Sequence, residues 1–170
     1  MPYFVIHVRT GSEEDFLSRV ESMFDDSEAR CIWLRRSLRI RRRGHWIETL
    51  VPIFPGYIFI EAEEISPTHF LRFKPIPGFI RFLQSNENIE SLSEADKKLL
   101  LHFLSFGQVV EKSTVYFDEG SKIRVLSGPL KELEGKIIKV DRRKGRAKVK
   151  LDMFENSFLI DFGFEVLENG

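Results

Sequence analysis

The sequence predicts an α+β protein: a four-stranded antiparallel sheet with helices on one face, followed by a small β-barrel. Strand-like and helix-like segments alternate as β-α-β-β-α-β-α before residue 107, which is typical of helices packed on one sheet. Beyond residue 117 only short strands follow (KIRVL, KIIKVD, RAKVKLD and SFLIDF), separated by turn sequences as in small barrels. We therefore expect domains at 1–107 and 117–170, joined by a linker at 108–116.

Apolar residues at strand or helix spacing define the elements of the first domain. Ser12 and Ser93 each precede a helical pattern, and serine is a residue type that caps helix N-termini. Acidic residues directly after Ser12 suit the positive end of the helix dipole. The predicted strands span 3–8, 31–42, 46–60 and 78–83, and the predicted helices span 13–24, 67–73 and a segment after Ser93.

The dipeptide Pro55-Gly56 interrupts an apolar run, VPIFPGYIFIEAE at 51–63. Proline lacks the N–H that a central strand needs, so we predict a bend here and a new strand over 57–61. Side chains alternate along a strand, which places Tyr57 and Phe59 on the face opposite the two isoleucines. These aromatic residues form either a second core layer or a surface for a partner.

Composition and spacing argue against several classes of protein. The single cysteine, Cys31, allows no internal disulfide and suits a reducing cytoplasm, where we expect the protein to act. No apolar run is long enough to span a membrane, and the N-terminus lacks a signal-peptide pattern. The histidines are scattered, and Gly135-Lys136 lacks the other residues of a phosphate loop. We expect no enzyme activity, no metal and no cofactor.

The net charge of zero conceals two basic stretches, residues 30–47 and 136–150. The first holds seven arginines and no acidic residue. It is either a solvated hairpin whose arginines protect an exposed edge, or a surface that binds a polyanion while Trp46 or His45 stacks on a base. We favour polyanion contact, for which the candidates are Arg39, Arg41, Arg42 and Arg43.

The second basic stretch forms what we call the basic ridge: Arg142, Arg143, Lys144, Arg146, Lys148 and Lys150. The last three alternate with apolar residues, so they share one face of the predicted strand. The first three occupy the adjoining turn. The ridge is either a nucleic-acid surface or a plain solvated face.

Two segments resemble the NusG family of transcription elongation factors: FPGYIFIE at 54–61, then GPLKELEGKIIKVDRRKGRAKVKL at 128–151. The first lies in that family's N-terminal domain, and the second is similar to its C-terminal KOW motif. The resemblance runs from Tyr3 to Leu167. KVDRRKGRAKVKL followed by SFLIDFGFEV is most similar to the LoaP branch, a specialised paralogue that acts on long operons.

The resemblance implies that the first domain is like the family's N-terminal (NGN) domain. Such a domain docks an aromatic sheet face on the clamp helices of RNA polymerase's largest subunit. The implied polymerase-binding positions are His7, Tyr57, Phe59, Phe79 and Phe82, with Thr68 and His69 toward the opposite jaw. Positions near the upstream DNA and the non-template strand are Arg9, Arg72 and Lys74.

The KOW segment departs from ordinary members of the family. Its loops, SGPLKELEG and DMFENSF, carry Leu130 and Leu133 in the first loop, where the family has exposed aromatic residues for a ribosomal protein and a termination factor. The basic ridge instead resembles an RNA-hairpin surface attributed to LoaP-like proteins. We therefore expect a monomeric, non-enzymatic elongation and antitermination factor whose C-terminal domain binds nascent RNA or another factor. The alternative is a ribosome-associated RNA-binding protein, which would leave the aromatic face unexplained.

Overall fold

The structure is a computed structural model that describes residues 1–83 and 85–167. The chain divides into two compact units. The first unit contains Met1–Trp33 and Phe54–Lys98, and the second contains Leu34–Ile53 and the residues from Leu99 onward. Both helices and sheets are present, so the predicted α+β class is confirmed.

The elements follow one another in this order. They are β1 (Tyr3–Val8), α1 (Glu13–Met23), β2 (Arg30–Ile32), β3 (Arg35–Arg42), β4 (His45–Pro52), β5 (Tyr57–Glu61), α2 (Pro67–Phe73), β6 (Phe79–Phe82), α3 (Glu94–Leu104), β7 (Val109–Val110), β8 (Ser113–Phe117), β9 (Ile123–Ser127), a 3₁₀ turn (Glu134–Lys136), β10 (Ile137–Asp141), β11 (Arg146–Met153) and β12 (Asn156–Val166).

The first unit contains a four-stranded antiparallel sheet with the order β2-β5-β1-β6. Ile6 and Ile58 on one face pack in a core with Phe16 of α1 and Phe73 of α2. The two long strands predicted at 31–42 and 46–60 are each divided into two shorter strands. Only β2 and β5 join this sheet, whereas β3 and β4 pair with each other as a hairpin.

The predicted bend at Pro55-Gly56 is confirmed, and β5 begins at Tyr57 as expected. Gly56 has a φ of 84°, a conformation that side chains with a Cβ rarely adopt. A Cβ at this position would also lie 2.9 Å from the carbonyl oxygen of Val8. The glycine therefore lets the chain turn tightly against β1 before β5 starts.

Part of the second face of this sheet is also buried, which corrects the expectation that Phe59 is exposed for docking. Phe59 has 0% of its surface exposed, and its register partners Val5 and Ile32 have 3% and 1%. Phe59 also makes an edge-to-face contact with Phe54. Alternation placed the ring on the correct face, but at this position the face is a second core layer.

Phe79 and Phe82 lie on the helix-covered face, so their predicted place beside Tyr57 is wrong. A register shift between His7 and Val8 pairs Phe79 with Val8, while Phe82 pairs with Ile6. Both rings make contacts with Phe70, and Phe82 is fully buried. The bulge alters the alternation that a regular strand would follow.

The helix caps predicted from the sequence are confirmed only in part. The Oγ of Ser93 accepts a hydrogen bond from the backbone N–H of Asp96 at 3.2 Å, as predicted. Ser12 stands at the N-cap position of α1, but within the described chain its side chain makes no capping hydrogen bond.

The second unit contains a five-stranded sheet with the order β10-β11-β12-β8-β9, which corresponds to the predicted barrel. Alternate residues of β11, from Ala147 to Met153, are buried. β7 and all but the last residue of β8 lie inside the predicted linker at 108–116: β7 pairs with β3, and β8 lies between β12 and β9. This segment is therefore largely β-structure, because its backbone groups are bonded to neighbouring strands.

The hairpin β3–β4 belongs to the same unit as the barrel, although the sequence placed it in the first domain. Arg36 is buried and donates from Nη1 to the carbonyl oxygen of Pro52 and from Nε to that of Asp161, each at 2.5 Å. One guanidinium thus bonds the backbone of the hairpin to that of β12. The domain boundary between 107 and 117 stays a prediction.

Phe59→Ala is expected to destabilise the protein by about 3–5 kcal/mol, because it empties a fully buried site. Urea unfolding of this variant, of Ile60→Ala and of Tyr57→Ala measures the effect. Ile60→Ala should cost a comparable amount, about 2–5 kcal/mol, and the half-buried Tyr57 clearly less. A loss below about 1 kcal/mol for Phe59→Ala would mean that the ring is exposed in solution.

The domain boundary is tested by comparing the fragments 111–170 and 117–170. The longer fragment should melt cooperatively and give a dispersed amide spectrum, because it retains β8 between β12 and β9. The shorter fragment loses most of β8 and leaves β9 without a neighbour, so its melting temperature should be lower. Equal melting temperatures would show that β8 is dispensable and would support the boundary predicted from the sequence.

Candidate functional site

A buried carboxylate fixes the backbone beside the aromatic face of the first unit. Glu13 is 2% exposed, and its carboxylate accepts hydrogen bonds from the N–H groups of Gly11 at 2.6 Å and Gly56 at 3.1 Å. The N–H of Val8 donates to the carbonyl oxygen of Gly56 at 2.7 Å. These bonds hold the start of β5, and therefore Tyr57, against the end of β1.

His7 and Tyr57 form a stacked pair at this point. Their ring centroids lie 4.8 Å apart with the planes 11° from parallel, and both side chains are half-buried. Burial, and secondarily the charge of Arg81 on β6, lower the pKa of His7 below its usual value. The imidazole is therefore neutral at pH 7, and the pair presents an uncharged aromatic surface. Of the five predicted clamp-binding residues, these two keep that role as candidates.

Thr68 and His69 lie in the first turn of α2. Thr68 is exposed, whereas His69 takes part in a capping box with Ser66. The N–H of His69 donates to Ser66 Oγ at 3.2 Å, and the N–H of Ser66 donates to His69 Nδ1 at 3.1 Å. His69 therefore has a structural role at the start of this helix.

Of the three basic residues predicted near DNA, Arg9 and Lys74 are exposed. Arg72 is engaged within the fold. Its guanidinium lies 3.9 Å from the centre of the Phe24 ring, donates to the carbonyl oxygen of Met23 at the end of α1, and pairs with Glu28 at 3.4 Å. A cation at a helix C-terminus is favourable, which explains Arg72 without a nucleic-acid ligand.

The Arg-rich hairpin ends in a tight turn. Arg43 and Gly44 have positive φ angles of 50° and 80°, as a two-residue type I′ turn requires. The register pairs Arg41 with Trp46 and Arg42 with His45, so these two arginines point to opposite faces. Residues 41–46 are all exposed, which leaves the tip of the hairpin accessible from both faces.

Arg39 joins the hairpin to the basic ridge. Its guanidinium lies 5.0 Å from the centre of the Trp46 ring, and its carbonyl oxygen accepts a hydrogen bond from Nη2 of Arg146. The structure thus brings together two basic segments that are more than 100 residues apart. Arg146 is half-buried, so part of its function is to hold the hairpin against β11.

The remaining residues of the ridge lie as the sequence predicted. Lys148 and Lys150 share a face of β11 with Arg146, and the turn residues Arg142, Arg143 and Lys144 are exposed. The guanidinium of Arg142 lies 3.9 Å from the centre of the Phe117 ring.

Sequence reasoning missed Lys139, which is the register partner of Lys148 on the neighbouring strand. A polar cleft of about 120 Å³ lies here, lined by Lys139, Asp141, Lys144, Arg146, Lys148 and Asp161. Hydrogen bonds, first of all from the N–H of Lys144, lower the pKa of Asp141, which therefore stays ionised. Alternation in KIIKVD, combined with antiparallel pairing across the RRKG turn, could have identified Lys139.

The described residues include no group of three or more His, Cys, Asp or Glu side chains that could hold a metal ion. Burial raises the pKa of Cys31 to about 12, so its thiol is protonated at neutral pH. Within residues 1–83 and 85–167, no helix is long and apolar enough to cross a membrane.

Two family models match the chain. Residues 1–101 match the family described as transcription termination factor NusG, and residues 119–151 match the KOW motif. The two matches cover the two segments on which the sequence resemblance depended.

Proteins named transcription termination/antitermination protein NusG are similar along nearly the whole chain. The relative from Helicobacter pylori is 21% identical over 160 residues, which cover 91% of this chain and 90% of that protein. The relative from Rickettsia felis is 26% identical over 168 residues, covering 95% and 86%.

A solved structure of Thermotoga maritima NusG has a similar fold. Its TM-score is 0.62 at 18% sequence identity, and the alignment covers 95% of this chain and 93% of that one. The fold, the order of the two matched segments and the share of each relative that is covered all agree with one family. Because one family model alone covers residues 1–101 of 170, this protein belongs to the NusG family of transcription termination and antitermination factors.

Proposed function

We propose that this protein binds RNA polymerase through the His7–Tyr57 pair and promotes processive, termination-resistant elongation. The stacked, half-buried rings carry this proposal. Aromatic residues dominate the binding energy of protein interfaces. Here the bend at Gly56 and the stacking already order the side chains, so binding costs little further conformational entropy.

Thr68, Arg9 and Lys74 extend the proposed polymerase complex. Thr68 is exposed and stays a candidate contact to the opposite jaw of the polymerase. Arg9 and Lys74 are exposed cations suited to the upstream DNA and the non-template strand. His69 and Arg72 act in the same regions through the local fold that they stabilise.

We further propose that the hairpin and the basic ridge bind nucleic acid, with nascent RNA on the ridge. Lys139 and Lys148 are direct cross-strand partners, and like charges in such pairs destabilise a sheet. A bound phosphate would relieve this repulsion. At the tip of the hairpin, Trp46 is 41% exposed beside Arg41 and can stack on a base.

The ridge also supports assignment to the LoaP branch, since its cations lie in the segment whose sequence is most similar to that branch. In this proposal the protein acts as a monomer in the cytoplasm, on the transcribing polymerase, and catalyses no reaction itself.

Tyr57→Ala is expected to weaken polymerase binding by about 2 kcal/mol, roughly thirtyfold. A pull-down with purified RNA polymerase and a single-round elongation assay measure binding and processivity. Tyr116→Ala, on β8, is the matched control because that tyrosine is 36% exposed outside the proposed docking surface. Melting curves of both variants exclude unfolding as the cause.

Equal polymerase binding by the two tyrosine variants would refute docking through the His7–Tyr57 pair. Co-purification of the wild-type chain with ribosomes, and not with polymerase, would favour the alternative of a ribosome-associated KOW-domain RNA-binding protein.

Replacing Lys144 and Lys150 together with glutamine should weaken binding to a structured RNA hairpin. Both side chains are exposed, so the fold should be unchanged. Each lost phosphate contact reduces the slope of log affinity against log salt by about 0.7–0.9. Fluorescence anisotropy at several salt concentrations measures this slope.

The control for the ridge removes the same charge outside both basic stretches, at the exposed Lys98 and Lys112. It should keep the wild-type salt slope. If both double variants bind RNA alike, the ridge is a solvated face without a specific role.

A further inference from the structure

The five-stranded sheet of the second unit ends in two edge strands that face a common groove. The strand order is β10-β11-β12-β8-β9, and within residues 1–83 and 85–167 neither β9 nor β10 has a second strand as a neighbour. The groove has a volume of about 750 Å³ and is lined by residues of both strands. It is distinct from the polar cleft of the ridge, although Lys139 borders both.

Exposed apolar side chains of both strands form what we call the floor of this edge groove. Ile138 of β10 is 55% exposed and Leu126 of β9 is 44% exposed, and Tyr116 lies beside them. Exposed aliphatic side chains that line one concave surface indicate a binding site more strongly than scattered ones do.

The rim of the edge groove is cationic. Lys122, Lys131 and Lys139 line it against a single acidic residue, Glu134. Arg124 also lines the groove, but its charge is balanced by Asp118 at 2.9 Å. The groove therefore has an excess of positive charge that suits an acidic ligand.

The backbone of β10 offers the more accessible edge. On β9, the carbonyl oxygen of Val125 already accepts a hydrogen bond from Nζ of Lys131 at 3.3 Å. Lysine side chains commonly protect edge strands in this way. An extended peptide can pair with such an edge through main-chain hydrogen bonds while its side chains enter neighbouring pockets.

We propose that the edge groove binds an acidic, extended segment of a partner protein, which adds as a strand along β10. At about 3.3 Å per residue, the five residues of β10 match a segment of about five residues. Alternate apolar side chains of the segment contact Ile138 and Leu126, and its carboxylates contact the lysines of the rim. RNA fits less well, because exposed aliphatic side chains and an open row of backbone groups suit the side chains and main chain of an extended peptide.

The probe is a hexapeptide of alternating glutamate and valine, blocked at both ends and titrated into the full-length ¹⁵N-labelled chain. We expect saturable shifts of the backbone amides of β10. Ile138→Asp should weaken binding at least about tenfold, because it places a charge on the apolar floor. Leu159→Asp is the matched control: Leu159 is 58% exposed on β12 and does not line the groove, so its affinity should stay within about twofold.

Two altered peptides separate the parts of the proposal. An N-methylated peptide, which cannot donate backbone hydrogen bonds, and a peptide with lysine in place of glutamate should both lose binding. Equal binding of either one, or no saturable shift with the acidic peptide, would overturn the proposal. So would slow hydrogen exchange at the edge amides of β10 in the free protein, because it would show that the two edges pair with each other. Since none of these readouts involves polymerase or RNA, they are independent of the function proposed above.

Discussion

The arrangement of the second unit depends on the hydrogen bonds that the buried guanidinium of Arg36 donates. It donates to backbone carbonyl oxygens of β4 and β12, and its cationic carbon lies 6.0 Å from the centre of the Phe162 ring. Burial lowers the pKa of Arg36 to about 10, yet the group stays charged at neutral pH. Removing it would leave two carbonyl groups unpaired, and a buried unpaired polar group costs about 1–3 kcal/mol. The hairpin and strand β12 are therefore held together by a cation as well as by apolar contacts.

The same basic stretch divides into structural and accessible parts along the hairpin. Arg36 lies near the barrel and is used in the fold, Arg39 contributes its carbonyl oxygen to Arg146, and Arg41 to Arg43 at the tip are exposed. Repulsion among the arginines of the hairpin is reduced because side chains of neighbouring residues in a strand point to opposite faces. A run of arginines in a sequence is thus compatible with both a folding role and a nucleic-acid role, at different distances from the core.

Local features were predictable from the sequence, and features set by distant contacts were not. The bend before Tyr57, the helix after Ser93 and the shared face of Lys148 and Lys150 follow from residue type and periodicity. The burial of Phe59 does not follow, because alternation defines a face but not whether that face is covered. The bulge that moves Phe79 to the helix-covered face, and the pairing of β8 inside a polar segment, likewise depend on register with strands far along the chain.

The proposed binding surfaces differ in charge, and this difference sets how each responds to ionic conditions. His7 is neutral at pH 7 and stacks on an uncharged ring, so polymerase docking there depends on burial of aromatic surface. In the proposed complex the ridge acts through its cations, whose attraction to phosphate is screened by salt beyond about 8–10 Å. Contact with polymerase should therefore persist at salt concentrations that release RNA. A factor of this kind would stay on the transcribing enzyme while its contacts to the transcript form and break.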